Sequence, residues 1–343
     1  QNESKMRILP ILQFVSFLIP YAASLRIHNA SRVPSTLLTS LRHTEPNHQI
    51  PKTVSRSTTH LSVQDTSVLT TALVDSLPQC NNVVTTALIS GSVGLVSQLV
   101  LTAILRKSSN PSVKKDPSYT AHNIIALILM MYVSYIGVVG YYLSPLLSTT
   151  ISTTTTRLLT HNPTSLHLAS VILGIFIGWD IPTTLSIPKL RKWDVIIHHV
   201  CMAIVAYYGT ITPMLYVLYY FGVVELSSIP LVIHDQLDHA CTTSEKVSPR
   251  LEKWTNGMKI VAALSFTAVR AFHFTKVTLF NFLPDVRFAL RNWSLDAGVS
   301  RFFLQGIGVA SLGFTTLQLY WFSLIVRSVL GGEEEIKVVE DSA

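Results

Sequence analysis

Arg191-Lys192-Trp193-Asp194-Val195-Ile196-Ile197-His198-His199 opens a stretch that continues through an uncharged run to Glu225-Leu226-Ser227-Ser228-Ile229-Pro230. Two adjacent histidines and one carboxylate lie inside sequence otherwise suited only to a lipid bilayer. An ionisable group at membrane depth costs roughly 2.5 kcal/mol or more unless it is paired, so each is a functional candidate by default.

The rest of the chain supports the bilayer reading. Charged residues are 13% of 343 and hydrophobic ones 48%, against about 25% charged in a soluble domain. Uncharged runs near 20 residues recur, and lipid offers no partner for backbone N–H and C=O groups, so the runs must be helices. The fold class is therefore all-α, a polytopic transmembrane helix bundle. Its roughly seven spans fall near 83–105, 119–146, 166–188, 195–212, 214–234, 260–280 and 304–330. The net charge of +7 reports orientation and not a nucleic-acid partner, because Lys and Arg collect in short cytosolic loops. Arg106, Lys107, Lys114 and Lys115 mark one such loop, Lys189 to Lys192 a second, and Lys246, Arg250, Lys253 and Lys259 a third. Around Pro284 to Arg301 the signals conflict: three arginines oppose a lumenal loop and the sequon Asn292-Trp293-Ser294 favours one. Cys80, Cys201 and Cys241 have no metal spacing, and Cys201 sits in an apolar run, which argues against a disulfide framework.

Ahead of the spans, Lys5-Met6-Arg7, an apolar core and Ala22-Ala23-Ser24 give residues 1–25 the form of a signal peptide, or of an uncleaved anchor helix. Residues 26–80 are rich in Ser, Thr, His and Pro and read as a flexible polar lumenal segment, with a sequon at Asn29. The membrane domain is expected over 81–331, with an acidic cytosolic tail over 332–343.

Polar residues at depth narrow the site. Counted from these span ends, Asp180, Glu225 and Arg270 fall about eight to ten residues from the cytosolic side, with His273 one turn deeper, which predicts a shared layer near the midplane. His198 and His199 are about one turn in from the cytosol. Arg270 is always charged and can pair with Asp180 or Glu225, leaving the other carboxylate to the histidines. Adjacent helical residues point about 100° apart, so one histidine faces the interior and the other packs. Asp194, four residues before His198, shares its face and can fix its tautomer. No third ligand has the spacing to make a metal site with these two. The arrangement is either an ion-pair lattice that orders the helices or a polar chamber for a lipid head group. His234-Asp235-Gln236-Leu237-Asp238-His239 reads as a solvated helix end, and Tyr207, Tyr208, Tyr219 and Tyr220 as interfacial belt residues.

Gly178-Trp179-Asp180, Lys192-Trp193-Asp194, His198-His199, Glu225-Leu226-Ser227-Ser228-Ile229-Pro230 and then Arg270, in that order, resemble the TLC domain shared by TRAM, Lag and CLN-type proteins. The resemblance covers about residues 81–331. It implies a multipass protein of the endoplasmic reticulum or another endomembrane, acting in lipid metabolism, sensing or transport. In the ceramide synthase branch the histidine pair is followed by His-Asp. Glu225-Leu226 stands there instead, which is closer to the TLC-domain-containing branch of lipid homeostasis. The leading expectation is thus a protein that binds a lipid or acyl chain in an intramembrane chamber, with membrane lipids as partners, no cofactor, and its oligomeric state open. The enzyme alternative is an N-acyltransferase using acyl-CoA as cosubstrate, with His198 and His199 at the reaction, His199 as base, Glu225 or Asp194 orienting it, and Arg270 or the lysines holding phosphates. A transporter would show inverted repeats, and none stands out.

Overall fold

Five helices announce their own starts. Asn82, Asn110, Asp116, Asn162 and Ser248 each accept a hydrogen bond from a backbone N–H in the first turn that follows. In the last four, proline is the next residue, where its missing N–H and fixed φ cost nothing.

The computed structural model describes residues 76–80, 82–144, 154–244, 247–292 and 299–330. The expected leader 1–25, nearly all of the polar segment 26–80 and the tail 332–343 lie outside the described residues. Among those described there is no strand, and seven helices are long and apolar enough to cross a membrane: α1 (Val83–Leu105), α2 (Pro117–Tyr142), α3 (Pro163–Ser186), α4 (Trp193–Ile211), α5 (Tyr216–Thr243), α6 (Pro249–Arg291) and α7 (Arg301–Arg327). The chain forms an all-α bundle of transmembrane type. Residues 106–116 and 187–192 lie against the end of α5, where Ser112 Oγ meets Ser244 Oγ at 2.9 Å and Lys189 Nζ meets His239 Nδ1 at 2.7 Å; this is called the basic end below.

Two helices differ from expectation. α5 runs to Thr243 and α6 begins at Pro249, whereas hydropathy ends the one near 234 and starts the other near 260. The segments 235–243 and 249–259 are polar but still helical, the second capped by Ser248, so they leave no hydropathy signal. α6 has 43 residues, roughly 60 Å of helix, against about 40–45 Å for a whole bilayer. α6 is therefore longer than a span requires, and the end of α5 is held at the basic end by the contact of Ser112 with Ser244.

Without a hydrophobic force between helices in lipid, close approach through small residues must hold spans together. Gly174 and Gly178, four apart on α3, meet Gly91 of α1. A Cβ on Gly174 would lie 2.0 Å from the Ala87 carbonyl oxygen, and one on Gly178 would lie 2.7 Å from Gly91 Cα. A second crossing joins α2 to α5, where a Cβ on Gly137 would lie 2.3 Å from Gly222 Cα. Both contacts are backbone to backbone. α1 shows the division of labour along one helix: Gly91, Gly94, Gln98 and Thr102 form its buried stripe, while Val84, Leu88, Leu99 and Ile104 are each more than half exposed, the face expected toward lipid.

At the opposite end, Arg157 grips Asp285 with two hydrogen bonds of 2.8 and 2.7 Å, and Tyr216 donates to the same carboxylate at 2.7 Å. These bonds push the Arg157 guanidinium still higher than its ordinary value. They tie the start of α5 and the end of α6 to a short helix, Thr154–Leu159.

Candidate functional site

Three helices depart from α geometry where the ionisable residues sit. Phe176–Asp180 of α3 forms a π turn in which the Ile181 N–H reaches the Phe176 carbonyl. Pro182 explains it: proline has no N–H for the Gly178 carbonyl and its ring crowds that oxygen, so the helix widens just before it. Thr267–His273 and Thr278–Phe282 of α6 are also π-helical. Val223–Ser227 of α5 is a 3-10 stretch with Pro230 in the first turn of the helix that resumes at Ser228.

The first polar group centres on Asp180, 7% exposed. One carboxylate oxygen lies 2.9 Å from His199 Nδ1 on α4, an ion-pair distance but too oblique for a hydrogen bond. The other oxygen lies 3.7 Å from His122 Nε2 on α2. The His122 ring stacks on Trp179, centroids 4.9 Å apart. Thr183 Oγ1 gives its proton to the Trp179 carbonyl at 2.8 Å, shared with the Asp180 carbonyl at 3.0 Å. At its 3.3 Å contact with His122 Nδ1 the imidazole is therefore the donor. Trp179 Nε1 donates to Gln98 Oε1 at 3.4 Å, and Gln98 Nε2 to the Ser118 carbonyl at 2.9 Å. Four spans thus contribute to one cluster.

The second group centres on Arg270, 8% exposed. Its Nη2 donates to Glu225 Oε2 at 3.1 Å and to Ser228 Oγ at 2.7 Å, and its Nε to Ser227 Oγ at 2.9 Å. Ser228 Oγ also donates to Glu225 Oε2 at 2.6 Å. The Glu-Leu-Ser-Ser pattern is thereby explained: three of its four side chains surround one guanidinium, and the 3-10 stretch brings them to one side.

The two groups are separate clusters that share no hydrogen bond or ion pair among the described residues, and α7 reaches both: Trp321 meets His198 at 5.3 Å and the next residue, Phe322, meets Phe272 at 6.0 Å. On α2, Asn123 bonds Gln236 at 3.1 Å and Gly137 meets Gly222, so α2 and α5 are antiparallel. Glu225 pairs with Arg270 and does not orient His199; Asp180 stands at that position.

The other candidates separate further. His198 packs its ring 5.3 Å from Trp321 of α7 and 5.7 Å from His199, and its buried Nδ1 has no hydrogen-bond partner. Asp194 is exposed in the first turn of α4, with no hydrogen bond or ion pair among the described residues. His273 is held by Tyr219 at Nδ1, 2.8 Å, and by Tyr142 at Nε2, 3.2 Å, so both its nitrogens are engaged away from either group. Tyr219, expected in an interfacial belt, is 0% exposed, because the start of α5 lies inside the bundle. At the basic end, Lys189 Nζ lies 2.7 Å from His239 Nδ1 and 4.2 Å from the Tyr119 ring centre. Burial of its tip pushes the Lys189 ammonium below its ordinary value, and His239, expected to be solvated, is 3% exposed. Among the described residues no cluster of His, Cys, Asp or Glu is placed to hold a metal ion.

His122 and Gln98 were not found from sequence. Asp116-Pro117 was the available signal for His122: as a cap it starts α2 early enough to put His122 on the second turn of a span.

No curated protein and no solved structure is matched by the chain. The family model of the TLC domain matches residues 118–327, which include every ionisable residue of both groups. With seven helices able to cross a membrane and that match over more than half its length, the chain belongs to the TLC-domain family of TRAM, Lag and CLN-type membrane proteins.

Proposed function

We propose that the protein binds a lipid or acyl chain with its head group against the Asp180 cluster, and that it acts in membrane lipid homeostasis in an endomembrane such as the endoplasmic reticulum. One observation carries the reading. Asp180 is buried in apolar helices and its ionisable neighbours are the imidazoles of His199 and His122, while Arg270, the only buried Lys or Arg among the described residues, is committed to Glu225. A structural ion pair has no need of a histidine set. A carboxylate with two imidazoles can instead exchange protons or hydrogen bonds with something that enters. The resemblance of the Glu225 to Pro230 pattern to the lipid-homeostasis branch points the same way.

The test is complementation. Cells lacking the gene receive wild type, Asp180→Asn or His199→Ala at matched protein levels, and their lipids are profiled. Both variants are expected to leave the profile of the deleted cells. Restoration equal to wild type by either would overturn the reading.

A further inference from the structure

We infer that the seam between α4 and α7 receives a lipid head that is uncharged and carries a hydroxyl or amide, of the diacylglycerol type; this rests on the lipid-chamber reading above. The edge of α7 supplies the first observation. Ser311, Thr315 and Gln318 are 7%, 5% and 3% exposed and, at i, i+4 and i+7, lie on one face. Ser311 and Thr315 give their protons to carbonyls of their own helix. Gln318 does not: its buried Oε1 has no hydrogen-bond partner among the described residues.

Across the seam lies its counterpart. Trp321, one turn beyond Gln318, meets the His198 ring edge-on at 5.3 Å, and buried His198 Nδ1 is also without a partner. Two orphaned polar groups on facing helices are costly in a dry interior, and a ligand that bonds to both removes that cost. Either imidazole tautomer and either orientation of the amide can be met by a group that both donates and accepts. A hydroxyl or an amide does this, and a fully ionised phosphate, which only accepts, does not.

Charge decides between lipid classes. Arg270 is near enough for its charge to reach His198, but that charge is countered by Glu225 and its donors are spent on Glu225, Ser227 and Ser228. The nearest carboxylate to the histidine pair, Asp180, is 2.9 Å from His199. A phosphate head would enter a region holding a carboxylate and no uncommitted guanidinium or ammonium among the described buried residues. An uncharged head meets no such opposition.

The full chain, purified in detergent, is irradiated with a diazirine-bearing diacylglycerol or a phosphatidic acid with the same chains, and labelled peptides are mapped. The diacylglycerol probe is expected on peptides from 193–211 and 301–327 at about ten times the phosphatidic acid yield, one decade per 1.4 kcal/mol. Gln318→Leu is expected to cut that labelling several-fold with unchanged melting temperature. Should Gln318→Leu not fold, Gln318→Glu, close to isosteric, is expected to lose the label too. Equal labelling by phosphatidic acid, or full labelling of the Gln318 variants, overturns the neutral-head inference. If phosphatidic acid labels the seam while His199→Ala still fails in complementation, the chamber stands and only the head-group class falls. If neither probe labels the bundle and His199→Ala complements, both fall.

Discussion

Asp180 and Glu225 are carboxylates within apolar helices, their side chains 10% and 13% exposed, each at a departure from α geometry, yet they have opposite surroundings. Glu225 is saturated: a guanidinium and two serines close around it, and every group in that clamp serves another member of the clamp. Asp180 is met by two imidazoles, one at 2.9 Å and oblique, the other at 3.7 Å. A closed set of fixed charges holds helices in place. An open set of titratable groups leaves hydrogen-bonding capacity unspent. The difference teaches that burial of a charge alone does not separate a lattice from a candidate site in a membrane bundle; whether its partners saturate it does.

This contrast predicts separable failures. Arg270→Met leaves Glu225 buried without its cation and is expected to lose about 3–5 kcal/mol, read as a collapse of the detergent-solubilised monodisperse peak on heating. Adding Glu225→Met should recover most of that loss. If the double variant is as unstable as the single one, the clamp is not a closed pair. Next come the glycines that seat each group. Gly222→Ala and Gly178→Ala push a Cβ against backbone, 2.3 Å from Gly137 Cα and 2.7 Å from Gly91 Cα, and each should cost about 1–3 kcal/mol. Gly178→Ala should in addition disturb lipid complementation, since it displaces Trp179 and Asp180. Asp180→Asn keeps the volume and is expected to change stability by about 1 kcal/mol or less while abolishing complementation. A melting loss as large as that of Arg270→Met would make the Asp180 cluster a second lattice and erase the distinction. Asp194→Asn, at an exposed position, should change stability by no more than about 0.5 kcal/mol and leave lipid profiles as in wild type.

Hydropathy made the bundle legible because lipid forces a simple pattern on the sequence. It made Asp180, His199, Glu225 and Arg270 legible for the same reason: a charge in an apolar run is conspicuous. It did not reveal who partners whom. His122 falls inside the expected span 119–146, but beside Ser118, Tyr119 and Thr120 at its polar start it does not stand out as a charge does, and only the fold shows that it reaches Asp180. Ser227 and Ser228 were visible as a pattern, but their purpose depends on Arg270, 42 positions from Ser228. The ends of α5 and α6 are not legible either, because polar helix gives no hydropathy signal. Tyr219 was misread because an aromatic near a span end belongs to the interface only when that end faces outward.

The π turns at Phe176–Asp180 and Thr267–His273 carry a further consequence. A π turn is an α turn with one residue too many, and each residue rotates a helix by about 100°. Removing one residue from either turn would let the helix close to α geometry and still cross the bilayer, but Asp180 or Arg270 would swing away from its partners. In these two spans the ability to cross the membrane and the ability to present a charge inward are written in different registers. A change of a single codon can therefore undo the pairing of a buried charge and leave the apolar span intact.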